Sequence, residues 1–307
     1  MPHDHAHHHH HHADPSVGDW RLALAVGVNI GLTVVQVIGG VLSGSLALIA
    51  DALHNLSDAM ALIIAFVARR IARRPADADM TFGYGRAETV AALINYTTLI
   101  LLGIYLAYEA VMRLFDPQEV AGWTVVIIAA VALVIDLATA ALTYAMSKDS
   151  QNIRAAFLHN LADAAGSVGV IIAGTAILLF GWNIVDPIVT LIIAGYILWM
   201  SFAEIGGVIR ILMLGSPPAL QTRAVLNAID EIDGVADVHH AHLWQMQEHE
   251  AALQAHIALY PGCWDRADAI KAQIKARLRQ DFAISHVMLE MECAAHACTD
   301  AKAIGHG

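Results

Sequence analysis

Charge is scarce in this chain. Asp, Glu, Lys and Arg make up 15% of its 307 residues, against roughly 25% in an ordinary soluble domain. Hydrophobic residues reach 57% and the mean hydropathy is +0.56, so a polytopic membrane protein is expected. Cysteine is scarce too. Cys263, Cys293 and Cys298 cannot make a disulfide framework, and nothing suggests an oxidising compartment. Basic residues are outnumbered 17 to 28, and the net charge of −11 argues against nucleic acid as a partner. Two motifs are missing. Without a GxxxxGK[ST] loop, ATP hydrolysis and a bound nucleotide are unsupported; without H-E-x-x-H, so is a helix-borne zinc hydrolase. No cleavable signal peptide is expected before the first apolar run.

Histidine, by contrast, is abundant. Eight of the 18 fall in the first twelve residues, "MPHDHAHHHHHH". That tract reads either as a purification tag or as a native tail that gathers divalent ions without needing a fold.

A spanning helix needs about 20 mostly apolar residues. Six are expected, near 19–42, 45–69, 87–113, 122–147, 155–180 and 185–213, separated by short breaks such as "LSGS", "FDPQ" and "GWN". Basic residues set the orientation. Arg69, Arg70, Arg73, Arg74 and Arg86 lie between the second and third helices, Lys148 and Arg154 between the fourth and fifth, and Arg210 at the end of the sixth. Only Arg113 stands near a helix end on the other side, so the positive-inside bias puts both termini in the cytoplasm.

After "LGSPP" the character changes to that of a soluble domain. Helical spacing in "LQTRAVLNAIDEI" and "RADAIKAQIKARL" alternates with strand-like "GVADVHHAHLWQM", "AALQAHIAL" and "SHVMLEMEC". The order helix–strand–strand–helix–strand fits a small open α/β sandwich. The expected organisation is a His-rich cytoplasmic tail at 1–18, a transmembrane domain at 19–213, a cytoplasmic regulatory domain at 216–293 and a flexible tail at 294–307.

Ionisable residues inside spans are costly and functional by default. "HNLSDA" at 54–59 and "HNLADA" at 159–164 nearly repeat one another. His54 and Asp58 stand four apart on the second helix, His159 and Asp163 on the fifth, so each pair shares one helix face. One such pair would read as a hydrogen-bonded structural couple; two at matching depth favour a metal site. Two imidazoles and two carboxylates make a tetrahedral set suited to Zn²⁺. The lack of sulfur argues against Cu(I), and the imidazoles argue against Mg²⁺ or Ca²⁺. Asp51, one turn before His54, reads equally as an entry residue or a structural acceptor. Glu109 and Asp136 are further intramembrane acids, expected to face the bundle.

Together, "GGVLSGSLALIADALHNLSDA", "FGYGRAETVAALIN", "NIRAAFLHNLADAAGSVGVIIA" and "GWNIVDPIVTLIIA" resemble a bacterial cation diffusion facilitator over residues 19–292. The resemblance implies a membrane all-α six-helix bundle plus a small ferredoxin-like, metallochaperone-like α/β domain in the cytoplasm. It implies metal–proton antiport, a homodimer, and a transport site at His54, Asp58, His159 and Asp163 of zinc-preferring type, with cobalt, cadmium or nickel as other cargo. Some relatives hold zinc in the loop between the second and third helices. Here Asp77 fits, but Met80 and Tyr84 stand where histidines would align, so no loop site is expected.

In the soluble domain the resemblance implies regulatory zinc, with His239 and His256 matching the ligand positions best and Glu290 and Glu292 near the third set. "VHHAHLW" also offers His240 and His242. Strand alternation places His286, Glu290 and Glu292 on one face, away from Val287, Leu289 and Met291. "CAAHAC" at 293–298 resembles a metal clip within the expected tail.

The reading is a non-enzymatic exporter in the inner membrane of a bacterium, embedded in lipid. It would move zinc or a similar divalent ion outward against inward protons by alternating access. The rivals are a membrane-embedded metallohydrolase, which needs an open coordination position and a water path, and a metal sensor without transport.

Overall fold

The computed structural model of the protein describes residues 15–144, 151–247, 250–293, 295–298 and 302–305. Six long helices come first: α1 (Pro15–Ser43), α2 (Leu46–Ala72), α3 (Ala87–Phe115), α4 (Gly122–Tyr144), α5 (Gln151–Phe180) and α6 (Val185–Leu212). Five of them, α2 to α6, contain stretches long and apolar enough to cross a membrane; in α1 the described apolar stretch is Ile30–Ser43. The histidine tract lies outside the described residues.

The chain divides into two compact units. One comprises residues up to Ile64 with Thr97–Phe202, the other Ala65–Tyr96 with Ala203 onward.

Among these five stretches, as far as they are described, α2 is the most enclosed. About half of its apolar window is buried, against a third or less for the others. Alanines make this possible: Ala47, Ala50, Ala52 and Ala59 are fully buried and let neighbouring helices come close. Glycine does the same between α4 and α5. A Cβ on Gly122 would stand 2.8 Å from the Gly174 carbonyl oxygen, so the two backbones touch there.

The start of α2 is held by a residue 141 positions away. Ser45 precedes the helix, and its hydroxyl accepts the Leu48 N–H at 3.1 Å, as an N-cap should. That hydroxyl also donates to Asp186 in the first turn of α6 at 2.5 Å. The same carboxylate accepts the Leu46 N–H at 2.8 Å and is approached by the Ala47 N–H at 3.4 Å. Asp186 is buried. Its carboxyl oxygens therefore sit against the positive end of α2 and take up N–H groups that no helical carbonyl can reach.

Arg113 has a comparable structural use. It donates to the Gly44 carbonyl at 2.7 Å and pairs with Glu109 at 3.2 Å. The one basic residue that runs against the charge bias is thus engaged at the α1–α2 turn, and Glu109 is its partner.

The second unit contains α7 (Thr222–Asp230), β1 (Val235–Gln247), β2 (Glu250–Leu259), α8 (Ala267–Phe282) and β3 (His286–Cys293). The sheet order is β1-β2-β3, antiparallel for the first pair and parallel for the second. A parallel neighbour requires a crossover, and α8 supplies it. Ile270, Ile274 and Leu278 recur at helical spacing on α8 and are buried with Leu253, Ile257 and Leu259 of β2. Val225 and Ile229 of α7 join the same core. The expected order and the α/β layering are both found.

Two details depart from expectation. The first is a bulge in β1. His239 faces His256, yet His242 faces Gln254, so one extra residue sits on β1 and His240 adopts φ +48. The second concerns the stretch read as a flexible tail, 294–307. His240 and Ala241 donate to the carbonyls of Lys302 and Ala303 at 3.0 and 3.1 Å, and Gly305 donates back to Ala241 at 3.2 Å. Its described end is paired to β1, because the bulge leaves those backbone groups unmatched by β2.

The α2 cap yields the first prediction. Asp186→Ala strips the acceptor from a hydroxyl and two N–H groups in a buried place and should cost about 2–4 kcal/mol. Thermal unfolding of the detergent-purified protein should show a marked fall for Asp186→Ala and a smaller one for Asp186→Asn, which keeps an acceptor oxygen.

Candidate metal sites

On α2, Asp51, His54 and Asp58 follow at steps of three and four and therefore share a face. His54 is buried. Its Nε2 lies 3.3 Å from Asp163 Oδ1 on α5 and 3.7 Å from Asp58 Oδ2. One donor atom from each of the three falls within 4.8 Å of the others. Tetrahedral ligands about 2.0–2.2 Å from zinc stand about 3.3–3.6 Å apart, so His54 Nε2 is already near coordination spacing from both carboxylates. His159 lies on α5 four residues before Asp163; its side chain is outside the described residues. Tyr196 of α6 meets the His54 ring edge-to-face, with centroids 6.4 Å apart, and walls one side of the group.

Asp51 belongs to a different network. Gln36 on α1 donates to Asp51 Oδ2 at 2.6 Å, and Asn55 donates to Gln36 Oε1 at 3.1 Å. All three side chains are buried. Asp51 is thus an acceptor that ties α1 to α2, the second of its two readings. Its other oxygen would stand 3.5 Å from a Cβ placed on Gly166 of α5, so this helix face passes close to α5 as well. Asp136 on α4 accepts from Ser167 on α5 at 3.0 Å and faces inward as expected. Gln36, Asn55, Ser167 and Tyr196 were not singled out from sequence. Their signal was available: each is a hydrogen-bonding side chain inside an apolar run.

In the loop before α3, Asp77 is engaged by its own turn. Oδ1 accepts the N–H groups of Asp79 and Met80 at 3.0 and 2.8 Å, and Oδ2 accepts the Tyr84 hydroxyl at 2.7 Å. The Tyr84 bond is the chief reason its pKa lies below the ordinary value. Arg86 donates to the Met246 carbonyl at 3.2 Å, which fixes the α3 entrance to the end of β1. A Cβ on neighbouring Gly85 would displace the end of the Gln247 side chain, which packs close against the backbone there.

The soluble domain gathers a larger cluster. His239, 2% exposed, has Nδ1 at 2.9 Å from Asp237 and Nε2 at 3.2 Å from Glu292 Oε2. His256 has Nδ1 at 2.6 Å from Glu292 Oε1 and Nε2 at 3.4 Å from Glu290. Two overlapping donor groups result: His256 with Glu290 and Glu292, and His239 with His240, His256 and Cys298. Burial alone would raise the Glu292 carboxyl, but hydrogen bonds from His256 and Cys298 and the nearby His239 outweigh it and hold the pKa low.

Two candidates fall elsewhere. The bulge re-aims β1, so His240 joins the cluster in place of His242, which lines a separate pocket with Leu214, Trp244 and Ile304. Glu290 and Glu292 share the strand face expected of them, but His286 packs edge-on against Phe82 at 6.2 Å.

Residues 22–213 match the model of the cation efflux transmembrane domain, and residues 217–294 that of the cation efflux protein cytoplasmic domain. The chain belongs to the cation efflux, or cation diffusion facilitator, family. It is 38% identical to a zinc transporter, ZitB, of Pectobacterium atrosepticum, over 95% of this chain and 89% of that one. It is 35% identical to a cadmium, cobalt and zinc/H(+)-K(+) antiporter of Bacillus velezensis, over 87% and 86%. To the metal cation efflux system protein CzcD of Cupriavidus metallidurans it is 32% identical, over 99% and 92%. These relatives are divalent-metal transporters, not enzymes, and the cation efflux chain described here is accordingly a multi-pass membrane protein of a metal-transporting family.

The Asp77 turn gives the second prediction. A depressed folded pKa means the turn's stabilisation is complete above the unfolded value of 3.8 and is lost as pH falls through the lowered one. Tyr84→Phe removes the leading cause. An NMR titration of the Asp77 carboxyl should show its pKa rising toward the ordinary range in that variant; an unchanged midpoint would contradict the assignment.

Proposed function

We propose that this cation efflux protein is a proton-coupled antiporter that exports zinc, with cobalt, cadmium or nickel as alternative cargo, from the cytoplasm of a bacterium across its inner membrane. The supporting observation is the His54 imidazole held between carboxylates of α2 and α5 inside apolar helices. The transport set is His54, Asp58, His159 and Asp163, and the printed names of the relatives, zinc transporter and metal/H(+)-K(+) antiporter, agree with that cargo and coupling. The transmembrane domain spans 19–213 and the regulatory domain 216–293. Both termini are cytoplasmic by the charge bias, and the soluble domain promotes a homodimer.

The chemistry suits exchange. Imidazole and carboxylate bind metal only when deprotonated, and an ordinary histidine titrates near pH 6.5. The same groups therefore carry either a metal ion or protons. Facing a neutral cytoplasm, His54 and His159 shed protons and bind the ion, which the aspartates neutralise. Facing a more acidic exterior, protonation of the imidazoles removes the lone pairs that held it. Rocking of the bundle around a fixed site converts one exposure to the other. A regulatory ion at His239, His256, Glu290 and Glu292 adjusts the dimer as cytoplasmic zinc rises.

Zinc uptake by inverted vesicles under an imposed proton gradient tests this. His54→Ala and Asp163→Ala should each reduce uptake to that of empty vesicles while crosslinking still yields dimers. Proton-driven uptake persisting in either variant would refute the site, and uptake indifferent to the gradient would refute the coupling.

A further inference from the structure

After β3 the chain turns back toward β1, and the bulge in β1 gives it somewhere to pair. β1 is an edge strand, and Lys302, Ala303 and Gly305 bond to His240 and Ala241 on its open side, with a parallel bridge between Ala241 and Ile304. On the way, the Cys298 N–H donates to Glu292 Oε2 at 3.1 Å. That path carries the Cys298 sulfur to three imidazoles. One donor atom each of His239, His240, His256 and Cys298 lies within 4.8 Å of all the others.

A second observation points to a cation there. His239 is 2% exposed, and its Nδ1 is engaged by Asp237 at 2.9 Å. With that proton on Nδ1, Nε2 carries a lone pair. It is buried, makes no hydrogen bond, and stands 3.2 Å from a Glu292 oxygen. Two acceptors facing one another at that distance call for a positive charge close by.

We propose that the C-terminal tail is a metal-closed clasp, in which His239, His240, His256 and the thiolate of Cys298 hold one soft divalent ion and thereby fasten residues 302–305 to the edge of β1. The proposal rests on the regulatory-metal reading above and revises its ligand set. Tetrahedral N and S ligands stand about 3.3–3.8 Å apart around zinc, so a group whose donors lie within 4.8 Å of one another need contract by no more than about 1.5 Å. As the metal–sulfur bond forms, the Cys298 thiol gives its proton to solvent. Glu292 then orients rather than ligates, holding His256 Nδ1 and the Cys298 N–H as carboxylates behind metal-bound histidines do. Asp237 does the same for His239. A thiolate favours Zn²⁺ and Cd²⁺ over Mg²⁺, Ca²⁺ or Mn²⁺, and four protein ligands leave no open position. The bulge gains a purpose too, because it turns His240 inward in a backbone conformation that non-glycine residues rarely adopt.

Cobalt titration of the full-length protein in detergent is decisive, because only a thiolate ligand gives the sulfur-to-cobalt charge-transfer band in the near ultraviolet. The band should appear in the unaltered chain, vanish in Cys298→Ser, and persist in Cys263→Ser, Cys293→Ser and Asp163→Ala. Amide exchange at residues 302–305 should slow on cobalt addition in the unaltered chain and not in Cys298→Ser. A band that survives Cys298→Ser overturns the clasp. So does visible cobalt absorption without the band; if His256→Ala in an Asp163→Ala background removes that absorption, the imidazole–carboxylate regulatory site stands without the tail. If His256→Ala changes nothing and no band forms, both readings fail.

Discussion

Buried carboxylates organise the membrane-spanning part of this chain, because an ionised oxygen removed from water must be given back what water supplied. The bundle contains several, and they are met differently. Asp186 receives a hydroxyl, main-chain N–H groups and the positive end of α2. Asp51 receives the Gln36 amide, and Asp136 the Ser167 hydroxyl. These partners are permanent dipoles, and each bond fastens one helix to another. Asp58 and Asp163 instead flank an imidazole, which is charged only when protonated. In the proposed transport reading an exchangeable cation would share these carboxylates with the imidazole. The contrast between fixed dipoles and a titratable neighbour separates the structural acids from those proposed to transport.

The fixed acids also explain why the titratable ones are held in place. α2 is held by buried polar contacts at three points along its length: its start is anchored to α6 through Asp186, its middle to α1 through Asp51, and His54 then reaches α5. A helix pinned at those points presents His54 and Asp58 at a defined depth. The geometry of the proposed transport site therefore depends on residues one to several turns away.

Much of this was legible in sequence because lipid makes polarity conspicuous. The repeated "HNLSDA" and "HNLADA" stand out in apolar runs, and His54 does meet Asp163 across two helices. The six helices were legible for the same reason, through run length and breakers. The Asp186 cap was not, because an acid at the start of α6 looks like an ordinary first-turn residue, and nothing local reveals that the helix end it neutralises belongs to α2. The soluble domain was harder still. Alternation correctly put Glu290 and Glu292 on one face, but a single inserted residue at His240 reverses the pattern and exchanges His240 for His242. A bulge is set by pairing with β2 and the tail, and those partners lie 15 and about 60 residues away.

The two proposed donor sets also differ in a way that follows from what each proposed ion would have to do. A transported ion has to leave, so its ligands should be groups whose affinity a modest pH difference can cancel. Imidazoles paired with carboxylates meet that condition: protonating one nitrogen removes a bond and adds a repelling charge at once. The ion proposed for the soluble domain would have to persist through the transport cycle, and a site closed by a thiolate on a chain segment would be better suited to that. Its release would require the tail segment to come away from β1 as well as a proton to return to sulfur. Separating the two chemistries, one inside lipid and one in the soluble domain, lets affinity at the second be tuned without slowing departure from the first.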